Sequence, residues 1–521
     1  MIRHQSYLNS FKAFRPRFNV QGSNLFYTLT LNKRDRLPGL PGKQYFCEVS
    51  RRKNIILEKI EVENYAAEGK SLARVDGKVV FIESTVPGDI VDVKLFKNKK
   101  DWAEGYPVVF HEYSKQRVDP FCTHFGVCGG CQWQMLPYEK QLHYKQQQVE
   151  ETLKRIGKTQ LPAMLPIIGA EETKFYRNKL EYTFSNRRFL LESELNDPAI
   201  SAVEDVAGFH AKGIFDKVID INTCYLQHEP SNAIRIAAKD FAKANGHSFY
   251  DIKNHRGFLR TMQMRICTTG EVMVNVIFAD NDDEKIKCLL DFILEKFPTI
   301  TTLLYTVNPK WNDSLHGLEP VIYFGKGYVM EKMCSRTGAD DFKFKIGPKS
   351  FFQTNTKQAE QLYRVSEEFA ELSGHETIYD LYCGTGSIGI FLSRKANKII
   401  GVEMIDEAVR DARENAALNA AGSAEFYTGD VIDICNDEFF QRHGKPDVIV
   451  TDPPRAGMHA KLVQKILEIE APVVVYVSCN PATQARDINL LSEKYAVTKI
   501  QPVDMFPHTH HIENVVQLKL K

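Results

Sequence analysis

The chain has 521 residues with 67 Lys+Arg and 66 Asp+Glu, and its formal net charge is +1. This balance excludes a uniformly basic protein and an acidic tail protein, but it leaves nucleic-acid binding open, because charge can be segregated along a chain. The first sixty residues hold 12 basic and 3 acidic side chains, whereas the other 461 hold 55 and 63.

At about 150 residues per domain, this length predicts three or four domains. Hydrophobic content of 43% and charged content of 26% are typical of a soluble globular chain. No apolar run approaches the roughly 18 residues of a membrane span, and the N-terminus lacks the apolar core of a secretory signal. The 11 cysteines are therefore expected to be reduced cytosolic thiols, and clustered cysteines indicate metal binding or catalysis.

The N-terminal part divides into a basic extension at 1–53 and a strand-rich segment at 54–115. The extension is either a flexible arm or a segment without function. The strand-rich segment has turn signals at regular spacing, which predicts a small five-stranded barrel of the OB type. Lys94 and Lys97 flank Phe96, with Trp102 following. This pattern is typical of a surface that binds single-stranded nucleic acid, and equally of a solvated barrel edge.

Residues 116–345 are predicted to form a central α+β domain, with helices at about 138–156, 231–244 and 283–296 among strand-like segments. It contains a glycine-rich C-x5-C-x2-C motif, formed by Cys122, Cys128 and Cys131. Three thiolates need a fourth to complete a tetrahedral zinc site or an iron–sulfur cluster, and Cys224 is the best candidate. The spacing does not distinguish between the two kinds of centre.

From 346 to 521 strands alternate with helices, which predicts a doubly wound parallel sheet. Gly384, Gly386 and Gly389 form G-x-G-x-x-G directly after a strand, and Glu403 lies 19 residues past the first of these glycines. Such a turn lets a nucleotide-like ligand approach the backbone, and a carboxylate at the end of the next strand can accept ribose hydroxyls. This motif fits both NAD and S-adenosylmethionine.

Two further strand ends carry reactive groups. Asp452 lies in TDPPRAG and Cys479 in SCNP, each directly after an apolar strand. An acid-Pro-Pro loop has no use in NAD dehydrogenases, and a cysteine at the rim of a ligand crevice can act as an activated thiolate. Glu513 precedes the last strand and is a candidate base. The neighbouring histidines at 508, 510 and 511 are expected to form a polar active-site wall and not a metal site.

These motifs together resemble the S-adenosylmethionine-dependent RNA uracil-5-methyltransferases, especially bacterial 23S ribosomal RNA enzymes with an iron–sulfur cluster. The resemblance covers about 54–521. Segment 54–115 is similar to the TRAM domain, and FCTHFGVCGGCQWQ to the cluster motif. PKSFFQTN, DLYCGTGSIG, GVEM, YTGD, TDPPRAG, SCNP and HIENV are similar to the methyltransferase core, in the same order. The implied architecture is a TRAM barrel, a central iron–sulfur domain and a Rossmann-like class I methyltransferase.

The resemblance implies roles for individual residues. Cys479 is the nucleophile and Glu513 the base. The implied [4Fe-4S] ligands are Cys122, Cys128, Cys131 and Cys224. The implied contacts to S-adenosylmethionine are Gln353, Tyr382, Ser387, Glu403, Asp430 and Asp452. Ser387 departs from members that carry Asn there, which puts one cofactor contact in doubt.

The resemblance further implies a cytoplasmic, monomeric enzyme whose partner is RNA. The favoured substrate is 23S ribosomal RNA, and the alternative is a T-loop uridine of transfer RNA. Two other functions compete with this one. The first is an NAD-dependent oxidoreductase, and the second is an RNA-binding or ribosome-assembly protein with a vestigial methyltransferase.

Overall fold

The structure is a computed structural model that describes residues 55–521 except 196, 198 and 336–340. Residues Ile55–Lys521 form one compact unit. The predicted basic extension at 1–53 lies outside the described residues. No helix among the described residues is long and apolar enough to cross a membrane.

The first sheet along the chain has six strands. They are β1 (Ile56–Glu61), β2 (Asn64–Tyr65), β3 (Ser71–Val75), β4 (Lys78–Ile82), β5 (Ile90–Asn98) and β6 (Trp102–Glu112). They pair in the order β1-β5-β6-β4-β3-β2. Their inward side chains form a small apolar core that includes Val80, Ile82, Val91 and Val93. The prediction of five strands is wrong by one, because two-residue β2 is too short to show an alternating pattern.

The central part contains a seven-stranded sheet with helices. Its elements are α1 (Tyr138–Gly157), β7 (Lys179–Ser185), β8 (Val206–His210), β9 (Val218–Asp220), α2 (Ser231–Ala244), β10 (Leu259–Ile266), β11 (Val272–Phe278), α3 (Asp283–Lys296), β12 (Thr302–Val307) and β13 (Val321–Gly325). The strand order is β13-β12-β11-β10-β7-β8-β9. The three helices lie where the sequence predicted them. A separate hairpin follows, formed by β14 (Val329–Met333) and β15 (Phe342–Ile346).

The C-terminal part is a second seven-stranded sheet. Its elements are α4 (Thr356–Ala370), β16 (Thr377–Leu381), α5 (Ser387–Leu392), β17 (Lys398–Glu403), α6 (Asp406–Leu418), β18 (Ala424–Thr428), α7 (Val431–Ile434), α8 (Asp437–His443), β19 (Val448–Thr451), α9 (Ala460–Ile469), β20 (Val473–Ser478), α10 (Pro481–Leu491), β21 (Tyr495–Val503) and β22 (Glu513–Leu520). The order is β18-β17-β16-β19-β20-β22-β21.

The topology of this sheet fixes where a ligand can bind. Strands β16 to β20 are parallel, whereas β22 runs antiparallel to β20 and β21 antiparallel to β22. The strand order reverses between β16 and β19, so the loops after these strands diverge and leave a crevice at their carboxyl ends. The predicted doubly wound fold is therefore confirmed, and its switch point lies between the glycine turn and the Asp-Pro-Pro loop.

Candidate active site

The glycine turn after β16 has a backbone that only glycine fits. Gly386 has φ +77°, and a Cβ there would lie 2.8 Å from the Phe426 ring. Tyr382 adopts the left-handed region as well, with φ +62°. A non-glycine residue in that region stores strain, which is typical of ligand-binding turns. The turn therefore brings bare backbone to the crevice at the start of α5.

Two carboxylates are fixed beside this turn. Glu403, at the end of β17, accepts hydrogen bonds from the amides of Gly384 (3.2 Å) and Ile405 (3.0 Å). Asp430 caps α7, since its Oδ1 accepts from the Ile432 amide at 2.9 Å. Together with Tyr382 they line a cavity of about 340 Å³. This cavity has the walls that an adenosine moiety requires, namely a carboxylate, a backbone turn and apolar side chains.

The remaining predicted cofactor residues lie outside the lining of this cavity. The hydroxyl of Ser387 is 2.8 Å from that of Tyr363, which holds it at the first turn of α5. The carbonyl of Gln353 accepts a hydrogen bond from Asn178 Nδ2 at 2.9 Å. Asn178 precedes β7, so the central sheet anchors the loop that carries Gln353. No sequence pattern indicated Asn178, because its role depends on a contact between distant segments.

The strand register places Cys479 and Glu513 at the same end of the sheet. Ser478 of β20 pairs with Asn514 of β22 in an antiparallel ladder. Cys479 and Glu513 are the residues that follow this last pair at the carboxyl end of β20. The carboxyl group of Glu513 contributes to the raised pKa of the Cys479 thiol, so the two side chains lie near one another at the crevice rim. Neither this pairing nor its direction could be deduced from the spacing of the two residues in the chain.

The electrostatic environment of Cys479 keeps the free thiol protonated. Burial raises its pKa to about 11, the carboxylates of Glu513 and Asp452 add to the rise, and the Arg455 guanidinium opposes it. Glu513 is almost fully buried, and desolvation together with Asp452 raises its pKa well above the ordinary value. Desolvation also raises the pKa of Asp452. Three ionisable groups with raised pKa values around one crevice are typical of a catalytic site.

The positive charge of Arg455 lowers the pKa values of Cys479 and Glu513, and the Arg455 loop is hydrogen-bonded to the nucleophile loop. The carbonyl of Arg455 accepts hydrogen bonds from Asn480 Nδ2 (3.0 Å) and Thr483 Oγ1 (3.3 Å). Its Nη2 lies 3.5 Å from Nδ1 of His511. These contacts hold the guanidinium between the nucleophile loop and the segment that precedes the base.

That segment, residues 504–512, is held by contacts with helix α1. Lys145 of α1 forms a fully buried ion pair with Asp504 at 2.6 Å. Gln141 of the same helix accepts from the His508 amide at 2.8 Å and lies 3.1 Å from Nδ1 of that ring. His508 itself has φ +65°. Sequence reasoning missed Lys145 and Gln141. The signal that could have identified Lys145 is its four-residue spacing from Val149 and Leu153, which places it on the buried face of α1.

The three histidines of this segment precede Glu513, and the ring centroids of His510 and His511 lie 4.3 Å apart. Burial lowers the pKa of His508, His510 and His511 to about 4 in each case, so they are neutral at pH 7. Within the part of the chain that the structure describes, no group of three or more His, Cys, Asp or Glu side chains is placed to hold a metal ion. The polar active-site wall stays a prediction.

The four predicted metal cysteines line one cavity. Cys122, Cys128, Cys131 and Cys224 surround a space of about 510 Å³ between the loop after β6 and the loop before α2. Burial raises the pKa of Cys131 to about 11 and that of Cys224 to about 12, and the neighbouring thiols add to both. The structure therefore brings the four cysteines of the predicted metal site to one cavity.

The four-cysteine cavity extends to the segment 504–512, because Thr509 of that segment lines the cavity. The amides of Gln132 and Trp133, which follow the cysteine motif, both donate to the His508 carbonyl at 2.8 and 3.0 Å. The loop with the C-x5-C-x2-C motif and the segment before Glu513 are therefore joined by backbone hydrogen bonds.

Comparison with known proteins identifies the family. A model described as tRNA (Uracil-5-)-methyltransferase matches residues 319–521, and a TRAM domain model matches residues 58–108. An uncharacterized RNA methyltransferase of Bacteroides thetaiotaomicron is 50% identical over 459 residues, which cover 88% of this chain and 100% of the relative. This chain belongs to the RNA uracil-5-methyltransferase family. It is thus a methyltransferase, which excludes the oxidoreductase alternative.

Two more similarities extend over most of this methyltransferase. An uncharacterized RNA methyltransferase of Porphyromonas gingivalis is 46% identical over 466 residues, covering 88% of this chain and 99% of the relative. The crystal structure of Pyrococcus abyssi tRNA (uracil-54, C5)-methyltransferase in complex with S-adenosyl-L-homocysteine has a TM-score of 0.67 and 26% identity. It covers 88% of this chain and 100% of that one.

The raised pKa of the Cys479 thiol leads to a prediction about its reactivity. Below a pKa of about 11, the thiolate fraction grows tenfold with each pH unit. Alkylation of Cys479 by iodoacetamide should therefore accelerate about tenfold per unit between about pH 7 and pH 10. Peptide mass spectrometry measures the rate, with the Cys479→Ala variant identifying the peptide. A plateau below about pH 9 would contradict the prediction.

Proposed function

We propose that this methyltransferase transfers a methyl group from S-adenosylmethionine to C5 of a uridine in structured RNA. One observation carries the proposal: the carboxyl groups of Glu513 and Asp452 lie close enough to the Cys479 thiol to raise its pKa, at the end of the sheet where β20 and β22 pair. C5 of uracil is too weak a nucleophile to take a methyl group unaided, and covalent catalysis overcomes this.

The cofactor would bind in the cavity after β16 and β17. Glu403 is placed to accept the ribose hydroxyls, and Tyr382 and Asp430 form the walls of the base site. Gln353, Ser387 and Asp452 are proposed as further contacts toward the reacting centre. When bound, the cofactor supplies an electrophilic methyl group on a positively charged sulfur.

The reaction is then carried by two side chains. The Cys479 thiol loses its proton to solvent, its thiolate forms a bond to C6, and the C5–C6 electron pair moves to C5 and O4 as an enolate. C5 forms a bond to the methyl carbon while the carbon–sulfur bond of the sulfonium breaks. Glu513 takes the proton from C5, the C5–C6 double bond forms again, and the thiolate leaves. The target base must leave its stack to reach Cys479.

The substrate is proposed to be 23S ribosomal RNA, modified in the cytoplasm by a monomer. The resemblance to ribosomal enzymes with a four-cysteine motif supports this choice. Transfer RNA is the second candidate, because the matching family model and the Pyrococcus abyssi structure carry tRNA names. Nucleoside mass spectrometry of both RNA classes from cells with and without the gene should show 5-methyluridine lost from ribosomal RNA. Loss from transfer RNA would select the second candidate, and loss from neither would contradict the proposed function.

We further propose that the four cysteines hold a [4Fe-4S] cluster. The four thiols line one cavity, and the resemblance of FCTHFGVCGGCQWQ to the cluster motif favours a cluster over a tetrahedral zinc ion with the same four ligands. A cluster with four thiolate ligands is closed, so its contribution would be structural.

The cluster proposal predicts a loss of iron on removal of one ligand. Anaerobically purified protein should contain about four iron atoms per chain, and Cys224→Ser should contain less than one. Elemental analysis provides the measurement. The matched control is Cys288→Ser, since that cysteine is exposed on α3 and should leave the iron content unchanged. Zinc without iron in the unsubstituted protein would contradict the assignment.

A further inference from the structure

The central domain displays an exposed pair of stacked aromatic rings far from any predicted motif. Trp311, in the loop between β12 and β13, is 75% exposed. Its indole stacks on the imidazole of His255, with centroids 4.9 Å apart and planes 11° from parallel. Since His255 covers one face of the indole and the side chain is still three-quarters exposed, the opposite face is open to solvent.

The loop that carries Trp311 is held rigidly by a buried arginine. Arg260 is 1% exposed and donates four hydrogen bonds to the loop. The acceptors are the carbonyls of Asn308 (2.8 Å), Lys310 (2.6 Å) and Asn312 (3.0 Å), and Oδ1 of Asp313 (2.8 Å). The backbone is therefore fixed on both sides of Trp311. A rigid loop lowers the entropy cost of binding at its tip.

The loop that carries His255 is fixed as well. The Asp251 carboxylate accepts hydrogen bonds from the Lys253 and Asn254 amides at 2.9 and 3.1 Å. At Gly257 φ is +120°, and a Cβ there would lie 2.2 Å from the carbonyl oxygen of Phe249. Two loops from different parts of the chain thus hold two rings face to face at the surface.

Basic side chains and a further aromatic ring surround the pair. Phe215 is 67% exposed, and the Lys253 ammonium lies 6.0 Å from its ring centroid. Lys253 also pairs with Asp216 at 2.5 Å. The exposed Lys217 and Arg256 have no acidic partner within 4 Å in the described part of the chain. This patch therefore combines open aromatic faces with unpaired positive charge, which is the chemistry of single-stranded nucleic-acid binding.

The patch adjoins the cysteine motif through the segment 210–217, which carries Phe215 and Lys217. The Gly129 amide donates to the His210 carbonyl at 3.2 Å, and the Lys212 amide donates to the Val127 carbonyl at 2.8 Å. His210 also lines the four-cysteine cavity. The patch therefore lies beside the loop that carries Cys128 and Cys131.

We propose that Trp311 and His255 form a stacking platform for an unpaired base of the RNA substrate, at a position away from the methylated uridine. This inference rests on the proposed function, because it assumes that the substrate is RNA. A base would stack on the open indole face, while Lys217 and Arg256 contact neighbouring phosphates. The platform would select RNA in which an unpaired segment accompanies the target, as in a loop or bulge.

The test compares three substitutions in the Cys479→Ala background, where turnover cannot obscure binding. The probes are a fluorescein-labelled twelve-nucleotide oligo(U) and a blunt RNA duplex, measured by fluorescence anisotropy. A stacked base contributes about 1–3 kcal/mol, so Trp311→Ala should weaken oligo(U) binding about 5- to 150-fold. Trp311→Leu should weaken it similarly, and Trp311→Phe should retain affinity within about threefold. Duplex affinity should not change.

Each other outcome overturns the platform. Unchanged oligo(U) affinity in Trp311→Ala excludes stacking at this site. If Trp311→Leu binds oligo(U) as tightly as the protein with Trp311, the site is an apolar surface of the kind that binds a protein partner. Parallel loss of duplex affinity indicates a general effect on charge or folding. Methyl transfer by the unsubstituted enzyme to cellular RNA is measured alongside. If this methyl transfer is observed while Trp311→Ala binds oligo(U) with unchanged affinity, the platform is wrong and the proposed function stands. If no methyl transfer is observed, the proposed function is wrong.

Discussion

Replacement of Cys479 by alanine should lower the methylation rate by about 10⁴-fold or more, because the variant has no nucleophile to activate C5. Tritium transfer from labelled S-adenosylmethionine to cellular RNA measures the effect. Glu403 and Asp430 line the proposed cofactor cavity, and Cys479 is not among the residues that line it. Calorimetric affinity for S-adenosylhomocysteine should therefore stay within about twofold.

The matched control is Cys288→Ser, which removes an exposed thiol from α3 and should leave the methylation rate unchanged. If Cys479→Ala retains full activity, the covalent mechanism is wrong. If the control loses activity as well, thiol chemistry elsewhere or misfolding explains the effect. The two variants together separate the loss of a nucleophile from the loss of a cysteine.

Replacement of Glu513 by glutamine should trap the RNA covalently on the enzyme. Addition of Cys479 and methyl transfer do not need the base, whereas removal of the C5 proton does. The carboxyl is buried and its pKa is raised, so its carboxylate is a stronger proton acceptor than a free glutamate. Loss of such a base slows the step by about 10²- to 10⁴-fold. A shifted protein–RNA band on a denaturing gel measures the adduct.

Asp452 supplies the internal comparison, since it is the second carboxyl group beside Cys479. Asp452→Asn should weaken cofactor binding or slow adduct formation and should not accumulate the adduct. If Asp452→Asn traps the adduct while Glu513→Gln does not, the base assignment belongs to Asp452. Glu438→Gln alters an exposed carboxylate on α8 and should behave as the unsubstituted enzyme.

Much of the fold could be predicted because the helices and the strand–helix alternation depend on residue patterns within short segments. Helices α1, α2 and α3 follow from apolar spacing, and the alternation of strands and helices after residue 346 predicted the doubly wound sheet. The two-residue strand β2 could not be predicted, because its pairing with β3 depends on neighbours and not on its own pattern. The strand orders of all three large sheets likewise required the tertiary structure.

The sequence by itself determined the family, the glycine turn and the chemical groups of the site, because these depend on residue types at fixed spacing along one segment. Tertiary structure decided which of those groups meet. The pairing of β20 with β22 brings Cys479 beside Glu513, although 33 other residues separate them in the chain. Tertiary structure also decided which residues support the site. Lys145 and Gln141 hold the segment before Glu513, and they lie on a helix more than 350 residues earlier in the chain. Burial and long-range contacts set these positions and pKa values, and neither is encoded in a local pattern.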